Sequence, residues 1–145
     1  MREVYRVRVA FADTDAMGVA WHGNYLRWFE QARTEMMRET ALPYRRMVEL
    51  GFHLPVIEAL VRYRRPARYD DLLVVHAAAG EPRGVRLRID YRIECEGELV
   101  AEGHTDHAFT NAQGKPVRPP REILGVFAAL LHDDQAHLHD PGEHP

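Results

Sequence analysis

Residues 11–33, FADTDAMGVAWHGNYLRWFEQAR, bring together two aspartates, Gly18, a histidine and a helix start, all within about a dozen residues. Asp15 and His22 are seven positions apart, and Gly18 between them lets the loop fold back so that both approach the start of the helix. The first N–H groups of a helix have no intrahelical partner and lie at the positive end of its dipole, so they can receive an oxyanion. A carboxylate beside such donors can act as general base on water, or as nucleophile, toward a bound carbonyl. The same residues also admit a plain reading. Asp13 and Asp15 can be loop carboxylates that cap turns, Gly18 a turn requirement, and His22 a satisfied polar residue near the helix cap. Spacing alone does not choose between them.

A second constellation is weaker. His104 and Asp106 are two apart on an expected strand and share a face, as two ligands of a two-His, one-carboxylate metal site would. The adjacent His107 points to the other face, and no nearby residue supplies a third ligand. His132, His137, His139 and His144 read as solvated residues of a polar end. We therefore expect no metal and no redox cofactor.

Positioning these groups requires elements that the hydrophobic pattern outlines. Val7, Val9 and Phe11 alternate with Arg6, Arg8 and Ala10, so residues 4–11 read as a half-buried strand. Residues 12–23 lose periodicity and read as a loop. A helix begins at Asn24 as N-cap, its stripe formed by Tyr25, Phe29, Ala32 and Met36 and widened by Leu26, Trp28 and Met37. Arg27, Glu30, Glu35 and Arg38 form its polar edge. A short second helix opens at Pro43. Residues 52–63 read as a long strand ending at RRPARYDD, residues 72–78 as another, and residues 85–95 alternate without a break. The EGE turn at residues 96–98 leads back through residues 99–110 as a hairpin. PPREILGVFAALL gives a closing helix, and residues 133–145 read as a flexible tail after a single domain at 1–132. One long helix followed by a run of antiparallel strands is an α+β layout, with the sheet curled around the helix.

Composition narrows the function classes. At 145 residues the chain is long enough for one self-supporting core. A net charge of −3 lacks the basic footprint of a nucleic-acid protein. The N-terminus carries a charge at nearly every second position, unlike a signal peptide, and no apolar run reaches membrane-spanning length. Cys95 is the only cysteine, which excludes an intramolecular disulfide and CxxC chemistry and points to the cytoplasm. Of 19 basic residues only Lys115 is lysine, an excess that suits either anion recognition or simple compositional bias.

Taken together, Phe11, Asp13–Asp15, Gly18, His22, the Asn24–Tyr25 pair and Trp28–Glu30 resemble the signature of hotdog-fold acyl-CoA thioesterases. That group includes 4-hydroxybenzoyl-CoA thioesterase and the Tol-Pal-associated thioesterases. The likeness extends more weakly through RRPARYDD and covers roughly residues 5–132; Met17 stands where the pattern often has a small residue. It implies a hotdog fold, a five-stranded antiparallel sheet wrapped around one long central helix.

Position by position, the resemblance implies that Asp15 is the catalytic carboxylate. His22 then supports proton transfer to the departing thiolate, and the backbone N–H groups of His22 and Gly23 polarise the thioester oxygen. Asp13 orients the loop and Tyr25 packs beneath it. The substrate is acyl-CoA, whose phosphates suit Arg65 and Arg68 in the crowded Arg62, Arg64, Arg65, Arg68 segment; these arginines read equally well as charges protecting an exposed sheet edge. The alternative within the fold is a non-catalytic protein that binds acyl-CoA or an acyl carrier. Relatives assemble as dimers or tetramers with sites between subunits, so a homo-oligomer is expected, of which a homotetramer is one form. Met17, Trp21, Trp28, Phe29 and Phe52 are available to line an acyl pocket or to fill the core.

Overall fold

The computed structural model describes residues 1–138 and the side chains of residues 1–131. Five strands form one antiparallel sheet: β1 Arg2–Arg8, β2 Val56–Tyr63, β3 Leu72–Ala79, β4 Arg86–Cys95 and β5 Glu98–Ala108, in the spatial order β1-β3-β4-β5-β2. Helix α1, Asn24–Arg38, lies in the curl of the sheet; α2, Tyr44–Glu49, and α3, Arg121–Leu138, complete the elements. This is the hotdog layout expected from the resemblance.

Alternation on β4 puts Leu87, Ile89, Tyr91, Ile93 and Cys95 inward with the intervening arginines and acids outward. Against that face α1 buries Tyr25, Trp28, Phe29, Ala32, Met36 and Met37. The rings of Phe29 and Tyr91 stack with centroids 4.2 Å apart and planes 5° from parallel. Phe29 can lie this close because Gly103 of β5 has no side chain. A β-carbon there would lie 3.1 Å from Phe29 Cε2 and 2.0 Å from the Leu60 carbonyl oxygen. Burying each such large apolar side chain contributes roughly 1.5–3 kcal/mol.

Several expectations are corrected. The first strand ends at Arg8 rather than at Phe11, which sits in a short 3-10 turn at Phe11–Asp13 and is 78% exposed. Gly23 is the N-cap of α1, and Asn24 is its first helical residue. Leu26 does not join the buried stripe, and Trp21 and Met17 are also exposed. The long strand begins at Val56, not residue 52. Pro55 has no N–H to give a ladder, and the chain before it makes only a bridge from His53 to Thr110. Helix α3 runs beyond the expected closing helix to Leu138; residues 139–145 of the expected tail lie outside the described residues. Pro43 caps α2, which starts one residue later than its expected opening. No helix among the described residues is long and apolar enough to cross a membrane.

The sheet order has a consequence for the RRPARYDD segment. β2 lies at one edge and β3 beside the other, so residues 64–71 must cross the end of the sheet. They pass beneath the start of α1. Ala67 N–H donates to Tyr25 Oη at 3.1 Å, and Ala20 N–H donates to the Ala67 carbonyl at 2.8 Å. Val9 and the 70–71 peptides exchange two further bonds of 2.9 Å.

Candidate active site

Residues 13–21 form a narrow hairpin. Asp15 N–H donates to Val19 O and Trp21 N–H to Asp13 O, both at 2.9 Å, with Thr14 bridged to Ala20 between them. The chain reverses in a turn closed by Gly18 N–H on the Asp15 carbonyl at 3.0 Å. Gly18 has φ +78°, a conformation that costs glycine little and other residues more. Asp15 therefore stands at the corner of an exposed tip. Its Oδ1 accepts the Met17 N–H at 2.8 Å, and the residue is otherwise open to solvent.

Asp13 is spent on structure. Its Oδ2 accepts the Ala10 N–H at 2.9 Å and its Oδ1 takes the Arg27 guanidinium at 2.6 Å. Its carbonyl receives Asn24 Nδ2 at 2.7 Å as well as the Trp21 N–H. Asn24 thus ties the helix to the hairpin, although not as a cap.

Two peptides precede the helix. The Trp21 carbonyl accepts the Asn24 N–H at 3.0 Å, and the His22 carbonyl accepts the Tyr63 hydroxyl at 2.8 Å. The N–H groups of His22 and Gly23 donate to no acceptor among the described residues. Successive unpaired amides at a helix start form an anion-binding concavity. A β-carbon on Gly23 would lie 2.2 Å from Trp21 Cζ3, so the indole covers this residue closely. The His22 ring lies against Trp21, centroids 4.9 Å apart. Asp15 stands at the tip end of the hairpin and His22 at its helix end, and no hydrogen bond or ion pair joins their side chains among the described residues.

Three arginines of the RRPARYDD segment separate into two kinds. Arg64 pairs with Glu102 at 2.7 Å and Arg65 pairs with Glu98, both across to β5. Arg68 is held by its backbone, whose N–H donates to Asp71 Oδ2 at 2.9 Å, and its guanidinium makes no ion pair among the described residues. Val19 of the hairpin bridges directly to Arg68, which joins the backbone of this segment to the hairpin that carries Asp15.

The other chemistry-bearing residues are committed elsewhere. Asp106 receives two bonds from Arg88 at 2.7 and 2.9 Å, which hold its carboxyl below the usual range. His107 faces the core while His104 faces outward with Asp106. Among the described residues no group of three His, Cys, Asp or Glu side chains is placed to hold a metal. Cys95 is buried, and burial pushes its thiol pKa up, away from nucleophilic use.

The family model of the Thioesterase-like superfamily matches residues 9–127, which include the hairpin, both open amides and the whole sheet from β2 onward. The chain belongs to that superfamily. Its hotdog fold and its class, thioester hydrolase, follow. An acyl-CoA thioester hydrolase of Escherichia coli O6:H1 is 37% identical over 123 residues, covering 83% of this chain and 92% of that one. A structure from Thermus thermophilus, described as a hypothetical protein, has a TM-score of 0.84 at 34% identity, covering 89% of this chain and 99% of the other. A DHNA-CoA thioesterase from Staphylococcus aureus has a TM-score of 0.79 at 27% identity and covers 97% and 95%.

Sequence reasoning did not single out Tyr63. Its partner His22 is 41 residues away, and nothing local marks the end of β2 as facing the helix start. Nor did it give Arg27 any role beyond a polar edge.

Proposed function

We propose that this superfamily member hydrolyses an acyl-CoA thioester to the free acid and CoA. The observation that carries this reading is one hairpin leading into one helix: an exposed carboxylate, Asp15, at the hairpin tip, and two open amides, His22 and Gly23, at the helix start. The E. coli relative's acyl-CoA activity supports the choice of thioester.

The thioester carbonyl oxygen sits on the His22 and Gly23 N–H groups, where the negative charge of a tetrahedral intermediate is stabilised. Asp15 approaches the carbonyl carbon, either taking a proton from the attacking water or attacking directly to form an acyl-aspartyl anhydride that water then opens. The carbonyl stands between carboxylate and amides, so Asp15 and His22 need not touch. Collapse of the intermediate breaks the C–S bond, and the His22 imidazole supports delivery of a proton to the leaving thiolate. Water, a carboxylate and amide donors supply every step without a cofactor.

Arg68, and Arg65 if freed from Glu98, are the residues proposed for the CoA phosphates. The exposed edge of β2, with Val56, Ile57 and Tyr63 each 42–50% exposed, supports pairing with a second copy and assembly as a dimer or tetramer. The cytoplasm is the compartment assigned, in keeping with the free thiol of Cys95.

The test is a hydrolysis screen over acyl-CoAs of graded chain length, including aromatic ones, with wild-type protein and Asp15→Asn. Turnover of at least one acyl-CoA, reduced about 100-fold or more by Asp15→Asn with unchanged melting, supports the reading. Binding without turnover by the wild type would instead indicate a non-catalytic acyl-CoA protein.

A further inference from the structure

Tyr63 closes β2, and its hydroxyl donates to the carbonyl of His22 at 2.8 Å. That carbonyl belongs to the same peptide unit as the Gly23 N–H. No peptide among the described residues is cis, so the two groups lie in one plane and point in opposite directions within it. A hydroxyl that fixes the carbonyl therefore also fixes where the Gly23 N–H points. We infer that Tyr63 is a positioning residue for the oxyanion: by holding the His22 carbonyl it aims and polarises the Gly23 N–H.

The inference rests on the hydrolase reading above and adds to it a residue on a different element. Three further observations support it. The Tyr63 ring meets Tyr25 edge to face, centroids 4.9 Å apart at 88°, and Tyr25 is buried with its own hydroxyl bonded by Ala67 N–H. The donor thus stands on a strand and against a buried ring, not on a loose loop. Partial burial also raises its pKa, so the phenol keeps its proton at neutral pH and remains a donor.

The neighbouring peptide is treated alike. The Trp21 carbonyl takes the Asn24 N–H at 3.0 Å, and that peptide's N–H is His22's. Both open amides consequently have their carbonyl ends bonded, one from the helix and one from β2. An amide that accepts at its oxygen donates more strongly at its nitrogen, because chains of hydrogen bonds polarise one another.

Weakening one oxyanion donor should cost less than removing it, which is worth about 10²–10³ in kcat; we expect roughly a 10-fold fall. The variant is Tyr63→Phe, which keeps the ring contact with Tyr25 and removes only the hydroxyl. On an acyl-CoA that the wild type hydrolyses, kcat should fall about 10-fold with KM within about twofold and unchanged melting. Affinity for a fluorinated ketone analogue, whose tetrahedral adduct presents an oxyanion, should weaken, while affinity for the thioether isostere, which has no carbonyl oxygen, should hold. The ¹⁵N resonance of the Gly23 amide should move more than those of residues 15–18.

Unchanged kcat in Tyr63→Phe, a rise in KM alone, or an unmoved Gly23 resonance would overturn the inference while leaving the hydrolase reading standing. Wild-type protein inert toward every acyl-CoA would overturn both.

Discussion

Arg27 holds Asp13 at 2.6 Å and so fastens the first turn of α1 to the hairpin that presents Asp15. The Asp13 carboxylate also receives the Ala10 N–H, while its carbonyl receives Asn24. Asp13→Ala should therefore loosen the hairpin without removing any reacting group. With Arg27 about half exposed, the ion pair is discounted for solvent, and the net loss is about 1 kcal/mol, or about 2–4 °C in Tm. Thermal melting and kcat measured together check this: Asp13→Ala should lower both, with Asp13→Asn intermediate because it keeps an acceptor for Ala10. Asp15→Asn should lower kcat only. An Asp13→Ala protein with wild-type melting would show that the tie contributes nothing.

The contrast between these two aspartates shows how far the sequence could be read. The stripe of Tyr25, Phe29, Ala32 and Met36 and the alternation of β4 are one-dimensional signals of burial, and all of those positions are buried. β2 lacks such a signal. It lies at the sheet edge, where exposed residues on both faces blur its period and its start. Phe11 was misplaced because alternation continues on paper past Arg8, where the chain has already turned. At the site, the residue types and the junction were legible from residues 11–33. Which carboxylate anchors and which is presented depends on Ala10 and Arg27, and the aiming of Gly23 depends on Tyr63; only the tertiary fold brings these together. No cross-chain pairing of that kind leaves a period or a spacing.

Arg65 and Arg68 should behave differently despite their shared segment. Arg65 already neutralises Glu98, whereas Arg68 extends from the bridge with Val19 with no anionic partner among the described residues. If the nucleotide phosphates sit beside the hairpin, Arg68→Ala should raise KM for acyl-CoA several-fold, about 1 kcal/mol for one exposed charge-assisted contact. Arg65→Ala should raise it less. A short acyl-thioester lacking the nucleotide should show neither effect. Measuring KM for both substrates in the two single variants and their double checks this; equal changes on the two substrates would exclude a phosphate contact.

His107 predicts a pH dependence of stability. It is fully buried, with Nδ1 2.9 Å from the Leu54 carbonyl and Nε2 2.7 Å from Thr105 Oγ1, which in turn lies 2.7 Å from the Tyr91 hydroxyl. The relay closes with one proton per link: Tyr91 donates to Thr105, Thr105 to Nε2, and Nδ1–H to Leu54, which leaves the imidazole neutral. Burial, aided by the nearby Arg33 and only partly offset by the Leu54 bond and Asp106, lowers its pKa below 6.5. The unfolded chain therefore binds a proton near pH 6.5 that the native protein refuses, so unfolding gains as pH falls. Stability should be fully present above pH 6.5 and decline below it. The lowered carboxyls of Glu3, Glu102 and Asp106 act in a separate window, below 4.5 for the glutamates and below 3.8 for the aspartate. Melting from pH 8 to pH 5 should show a fall in wild type that His107→Gln lacks, although the variant starts lower at pH 8 by about 1–3 kcal/mol for the disturbed relay. Parallel slopes in the two proteins would mean that His107 accepts its proton in the folded state, and the relay would then have to run with Thr105 turned to accept from Nε2–H.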